Sequence, residues 1–422
     1  MKCNKTILSN GARLLTVLMK DNPTVTVLVM VETGSEYERK AESGISHFLE
    51  HLCFKGTKRR PKSIDISHEL DSIGAEYNAF TGHEYTGYYA KADSKHFEKI
   101  LDVVSDLYLH PVFPAEDVER EKGVIVEEIN MYEDMPAEQV HDAFARLVYG
   151  DQPAGWSIAG TKKSVRAISH QAVINYRKRH YTAKATTVVI AGSFNEPKAK
   201  AAVKQIFSVM PKAAKVLKPK VREFQTKPAL SFTNKQTDQT HLVIGARTFD
   251  TYHKDQPSLS VLATILGRGM SSRLFVKMRE ELGICYYAKA GNEAFTDHGY
   301  LAVRAGVDKD RLVEAIEAIL AELRKLKSTT VGKEELAKAK EFISGKLFLN
   351  LESSDDLADF YGFQETIKHE LLLPSQYLSR IEKVTAADIK RVAKKIFVNS
   401  GINLALVGSN YDQKAITSIF KL

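Results

Sequence analysis

The chain has 422 residues, of which 44% are hydrophobic and 27% charged, enough for two or three well-cored domains and too apolar for a disordered polymer. No apolar run reaches the ~18 residues that a membrane-spanning helix needs, so no membrane association is expected. The net charge of +8 permits an anionic partner, but the densest basic run, residues 55–62, has no interleaved aromatics and matches no nucleic-acid module. That run reads as a solvated loop, and no nucleic-acid partner is expected.

In chain order, the first residues lack the continuous apolar stretch and small-residue cleavage site of a signal peptide. Cys3, Cys53 and Cys285 are far apart with no metal-type spacing, as in a reduced, cytoplasmic protein. A strand is expected over 25–31, then a helix carrying His47-Phe48-Leu49-Glu50-His51. A strand over 87–93 enters an amphipathic helix with Phe97, Ile100, Leu101, Val104, Leu107 and Tyr108 on one face. An acidic helix follows over 116–133, then a helix capped by Ser169 and a closing strand over 188–193. Residues 211–228, bearing Lys and Pro, suit a linker. Beyond them the order recurs: a strand over 241–246, a strand from Gly299 entering a helix with Leu312, Ile316, Ile319 and Leu323, a helix capped by Thr385, and a closing strand over 404–409.

This recurrence implies a duplication. The expected architecture is α+β: two homologous domains, 1–210 and 229–422, joined by 211–228, each a mainly antiparallel sheet with helices packed on one face.

The chemistry falls in the first copy. On a helix His47 and His51 share one face, about 5–6 Å apart, which suits two imidazoles on one zinc ion. Glu50 can reach a water at that metal. A catalytic zinc takes a third protein ligand. Glu121 and Glu128, two turns apart on one helix face, could each supply it, with the other supporting a histidine N–H. Glu119, Glu127 and Glu133 read as a solvated face. Laying the second copy on the first places Ala339 opposite Glu121 and Lys346 opposite Glu128, and no H-x-x-E-H occurs in the second half. The frame is shared and the metal set appears once. Gly267-Arg268-Gly269 lacks a following Gly-Lys-Ser/Thr, so no phosphate loop is expected there.

With Phe54-Lys55-Gly56-Thr57 and Asn78-Ala79-Phe80-Thr81, these residues resemble the pitrilysin/insulinase-type inverted zinc peptidases, in the short, processing-peptidase-like branch. The resemblance covers essentially the whole chain and implies a zinc endopeptidase acting on short or unfolded peptides. It implies one Zn²⁺ per chain on His47, His51 and Glu128, with Glu50 as general base and Glu121 as an important neighbour. Asn78, Ala79 and Phe80 correspond to an edge strand that pairs with substrate. Arg279 and Tyr286 correspond to a pair that binds the substrate backbone and stabilises the tetrahedral intermediate; on residues alone Arg279 reads as a surface side chain. His83 stands where relatives often carry Arg, and reads as a hydrogen-bonded strand histidine or a neighbour of the zinc. Long relatives close four such domains into a clamshell. A two-domain chain therefore suggests a homodimer, with a heterodimer with a metal-less homologue, or a noncatalytic assembly role, as alternatives.

Overall fold

The computed structural model describes residues 2–422. The chain forms two compact units, and neither is a contiguous half. The first holds the chain up to Ile129 together with Trp156–Pro219 and Phe348–Leu373. The second holds Asn130–Gly155, Lys220–Leu347 and Pro374–Leu422. The expected boundaries at 210 and 229 are thus corrected: each half lends one helical segment to the other unit.

In the first unit six strands, β1 (Cys3–Ile7), β2 (Arg13–Leu18), β3 (Thr24–Val31), β4 (Glu76–Thr81), β5 (Thr86–Asp93) and β6 (Thr186–Gly192), form one sheet ordered β1-β2-β6-β3-β5-β4. In the second, β7 (Ala229–Asn234), β8 (Gln239–Arg247), β9 (Cys285–Ala294), β10 (Gly299–Asp308) and β11 (Ile402–Gly408) are ordered β7-β11-β8-β10-β9. Each sheet is antiparallel except for one pair, β2 with β6 and β7 with β11, and these occupy the same place in the two orders. Strand order and the single parallel pair repeat together, so the two units are copies of one α+β fold.

The central strand β3, Thr-Val-Thr-Val-Leu-Val-Met-Val, is β-branched and apolar almost throughout, which calls for cover on both faces. Val25, Val27, Val29 and Val31 face the main core, where the helix Phe97–Leu109 packs its apolar stripe. Leu28 and Met30 point the other way, toward the helix Ser354–Phe363. A Cβ on Gly362 would sit 2.9 Å from Met30 Sδ and 3.2 Å from Leu28 Cδ2, so the close approach favours a residue without a side chain. The second unit repeats this with the helix Pro136–Tyr149, whose Val140, Phe144 and Val148 form a buried i, i+4, i+8 row against Val243, Ala302 and Ala405. Each sheet thus carries its helical layer on one face and a single helix from the other half of the chain on the opposite face.

The expected helices occur as Phe97–Leu109, Ala115–Glu133 and Leu312–Ser328, and the closing strands as β6 and β11. Ser169 Oγ accepts from the Ala172 amide and Thr385 Oγ1 from that of Asp388, as their capping roles require. Residues 211–228 contain no regular element. Their first part is nonetheless held to the first unit, with Lys215 Nζ 2.6 Å from Glu32 Oε1 and Lys218 Nζ 2.9 Å from Glu84 Oε1.

Candidate metal centre

The helix Ile45–Cys53 buries Ile45, Phe48, Leu49 and Leu52 in the core and leaves His47, Glu50 and His51 half-buried on its other side. It starts at Gly44, whose φ of +93° favours glycine and whose Cβ position lies 2.6 Å from the Ala159 carbonyl oxygen. The helix has no capping side chain of its own. Glu38 supplies one from outside: its carboxylate accepts from the Gly44 amide at 2.7 Å and from the Ser46 amide at 2.8 Å. Ser46 Oγ in turn lies 2.8 Å from the Tyr176 hydroxyl.

The two imidazole centroids are 4.6 Å apart. Across from them the helix Ala115–Glu133 buries Val118, Glu121, Ile125 and Ile129 and presents Glu128. Glu128 Oε2 lies 3.6 Å from His47 Nε2 and 3.5 Å from His51 Nε2. Donor atoms of these three residues all fall within 4.8 Å of one another. Ligands at ~2.0–2.1 Å around a tetrahedral zinc are separated by about 3.3 Å, so the donor set fits such an ion in number, chemistry and spacing. Glu121 lies behind the cluster. Its Oε1 is 2.9 Å from His51 Nδ1 and its Oε2 is 2.6 Å from Lys55 Nζ. The structure thereby separates two carboxylates that helical spacing alone left equivalent.

Burial and the neighbouring His51 push the His47 imidazole down to about 4, so its ring is neutral, with a lone pair free, at neutral pH. Burial also opposes a charge on His51. The Glu121 hydrogen bond and the charges of Glu50 and Glu128 outweigh it and hold that imidazole above its usual range. Burial raises Glu50, against a hydrogen bond from Thr81 Oγ1 to its Oε2 of 2.5 Å. Burial likewise works against the Glu121 carboxylate, but His51 and Lys55 prevail and keep it below the ordinary range.

Asn78, Ala79 and Phe80 lie on β4, the edge strand beside the metal helix. Tyr77 and Ala79 pack into the core, while Phe80 turns to the other face, its ring over Gly87 and 5.8 Å from that of Phe363. His83 lies in the turn after β4, not in a strand, with Nδ1 3.0 Å from Ser35 Oγ. It is not part of the metal cluster. Glu119, Glu127 and Glu133 are exposed, as expected.

The basic run is solvated only in part: Lys58, Arg59 and Lys62 are exposed, but two of its basic residues are not. Arg60 is 6% exposed and is bonded to Glu69, Asp102 and Asp106, while Lys55 serves Glu121. The reading failed because the three acids paired with Arg60 come from two later helices. In the second unit Arg279 lies 5.1 Å from both the Phe275 and Tyr286 rings and donates to the Tyr286 carbonyl at 3.2 Å. Tyr286 is 72% exposed. Three residues escaped sequence reasoning. Lys55 stands four after His51 and Thr81 shares a strand face with Tyr77 and Ala79, so both had a local signal; Glu38 had none.

Two matching α+β units, one bearing an inverted His-x-x-Glu-His helix faced by a carboxylate from a second helix, define a two-domain protein of the inverted-zincin class. The chain belongs to the insulinase family, peptidase family M16: that family's model matches residues 15–162, and the model of the peptidase M16 inactive domain matches residues 167–343. It is 33% identical to a protein of Bacillus subtilis named as an uncharacterized zinc protease, YmxG, over 92% of this chain and 94% of that one. It is 32% identical to a similarly named protein of Rickettsia bellii, over 96% and 98% of the two chains. The fold matches the crystal structure of a protease from Helicobacter pylori with a TM-score of 0.90 at 23% identity, covering 96% of this chain and 99% of that chain. The stretch matched by the model described as inactive contains none of His47, His51 and Glu128.

Proposed function

We propose that the protein is a zinc-dependent endopeptidase that cleaves short or unfolded peptides. The observation that carries this reading is the convergence of His47 Nε2, His51 Nε2 and Glu128 Oε2 beside the Glu50 carboxylate. His47, His51 and Glu128 would hold one zinc ion per chain, and Glu121 orients His51 from behind. A zinc ion there supplies Lewis acidity toward the scissile carbonyl and acidifies water. Glu50 removes the proton of the attacking water and returns it to the leaving amine nitrogen. The free edge of β4, through Asn78, Ala79 and Phe80, pairs with the extended substrate backbone. Arg279 donates to substrate carbonyls, and the exposed Tyr286 hydroxyl donates to the oxyanion.

The working form we propose is a two-fold homodimer, in which Arg279 and Tyr286 of one copy serve the metal set of the other. The support is that these groups belong to different units of a duplicated fold. A metal-less homologous partner is the alternative for the same role. Three free thiols suit a cytoplasmic setting, and among the described residues no helix is long and apolar enough to cross a membrane.

The test is the metal content of the pure protein together with cleavage of a quenched peptide library. Glu50→Gln should retain zinc and lose about 2–4 orders of magnitude in turnover. A zinc-loaded Gln variant that cleaves normally would overturn the assignment. For the dimer, Glu50→Gln and Arg279→Ala homodimers should each be weak. Subunit exchange should return about half the wild-type activity, one whole site per heterodimer. A demonstrably mixed population that stays inactive refutes the shared site.

A further inference from the structure

We propose that Thr81 is the positioning residue of the general base: its hydroxyl fixes one oxygen of Glu50 so that the other faces the reacting water. The inference rests on the endopeptidase reading above. Three observations carry it.

First, the Thr81 Oγ1–Glu50 Oε2 separation is 2.5 Å, a short, charge-assisted bond. Threonine has a single O–H to donate, so that donor is committed to Glu50.

Second, Thr81 is rigidly held. It is the last β4 residue before the turn, paired with Thr86 of β5, and the Gly82 amide donates to the Tyr85 carbonyl at 2.8 Å to close the hairpin. The tip is clamped against the loop after β3: the Ser35 and Glu36 amides donate to the Gly82 and His83 carbonyls at 3.2 and 2.8 Å. The fit is tight enough that a Cβ on Gly34 would fall 2.2 Å from the Gly82 oxygen. Tyr77 and Ala79, on the same strand face as Thr81, anchor the strand in the core over the metal helix.

Third, the bond favours one oxygen for the proton. Accepting from Thr81 makes Oε2 the weaker base of the two, so the proton taken from water forms its bond at Oε1. The water O–H bond breaks, Oε1–H forms, and the same proton later passes to the departing amine nitrogen. Glu50 keeps its Thr81 bond through both transfers and does not have to reorient between them. Without the hydroxyl the carboxylate rotates about its last torsion, and the fraction aligned for transfer falls.

The experiment compares Thr81→Val, which keeps the shape and removes the hydroxyl, with Thr81→Ser, which restores it. Both are made in the wild-type and Glu50→Gln backgrounds, on the full chain, with zinc affinity measured by chelator competition. Thr81→Val should lose roughly tenfold in kcat, the scale of one hydrogen bond to a charged group, with KM and zinc affinity within about twofold of wild type. Thr81→Ser should recover most of the loss. In the Glu50→Gln background Thr81→Val should add nothing, because the group it positions is gone. Wild-type turnover in Thr81→Val, an equal loss in Val and Ser, or a further full loss on top of Glu50→Gln would each overturn the proposal. A wild-type protein that binds zinc and cleaves no peptide would instead sink the endopeptidase reading on which it rests.

Discussion

Glu38→Ala tests how the metal helix is held in place. The helix begins with no side-chain cap of its own, and its first free amides, those of Gly44 and Ser46, both donate to the buried Glu38 carboxylate. Burial pushes the Glu38 carboxyl up to about 8 against the pull of these donors, so at neutral pH it is mainly a neutral acceptor. Hydrogen bonds of that kind contribute ~0.5–1.5 kcal/mol each, and a buried amide left without a partner costs ~1–3 kcal/mol. The net loss expected is therefore about 2–4 kcal/mol. For a cooperative unit of this size, at ~2–4 °C per kcal/mol, the melting temperature should fall by about 5–15 °C. His47 is the third residue of this helix, so a frayed first turn should also weaken zinc binding. The assay is calorimetry of the metal-free protein alongside chelator competition for zinc. Glu38→Gln keeps one acceptor and turns an NH₂ toward an N–H, so it should fall between wild type and Ala. A Glu38→Ala protein that melts within 1 °C of wild type and binds zinc equally well would refute the capping argument.

Three further outcomes follow from the geometry. Glu128→Gln should lose zinc outright in chelator competition, whereas Glu121→Gln should weaken binding or turnover ~10–100-fold, as for a group that orients a ligand; equal and complete loss in both would erase the distinction. Gly362→Val places a side chain against Met30 and Leu28 and should cost about 1–3 kcal/mol in urea unfolding, partly regained with Met30→Ala; a neutral substitution would mean that the helix does not cover that face of the sheet. Burial opposes the charge of Asp102, but Arg59 and Arg60 outweigh it and hold its carboxyl below the usual range. A depressed carboxylate contributes stability that is present above its unfolded value of ~3.9 and is lost as pH falls through its folded one. Asp102→Asn should therefore melt below wild type at pH 7, with the two converging under pH ~4; a constant gap across that range would contradict the pairing.

What the sequence made legible was whatever is local. The His47–His51 pair needs only helical periodicity, and the helices at Phe97 and Leu312 only an apolar stripe of the right period. Glu121 and Glu128 satisfied the same spacing, and it took the third dimension to place one between two imidazoles and the other behind. Arg60 looked solvated because two of its three acids, Asp102 and Asp106, lie 42 and 46 residues further on. Short strands such as β1 and β7 alternate buried and exposed positions weakly, and their place comes from pairing with β2 and β11. The helices Pro136–Tyr149 and Ser354–Phe363 show most plainly what local pattern omits. Nothing within either segment says that it covers a sheet built from the opposite half of the chain.

The duplication explains why a site of this kind occurs once. In the second unit the helix between β8 and β9, Gln256–Gly267, takes the chain position held by the metal helix between β3 and β4. It is buried along nearly its whole length and has no charged side chain. Ala339, the counterpart of Glu121 in the aligned helix Lys333–Leu349, is 2% exposed inside the second core. Glu121 is almost as buried, at 3%, and a carboxylate at that depth is costly unless it is paired. In the first unit His51 and Lys55 meet that cost, the one by hydrogen bond and the other by charge. The second unit holds neither partner, and an alanine fills the position with no polar group to satisfy. A carboxylate at the depth of Glu121 therefore needs both partners in place, whereas the alanine at the same place in the second core needs none.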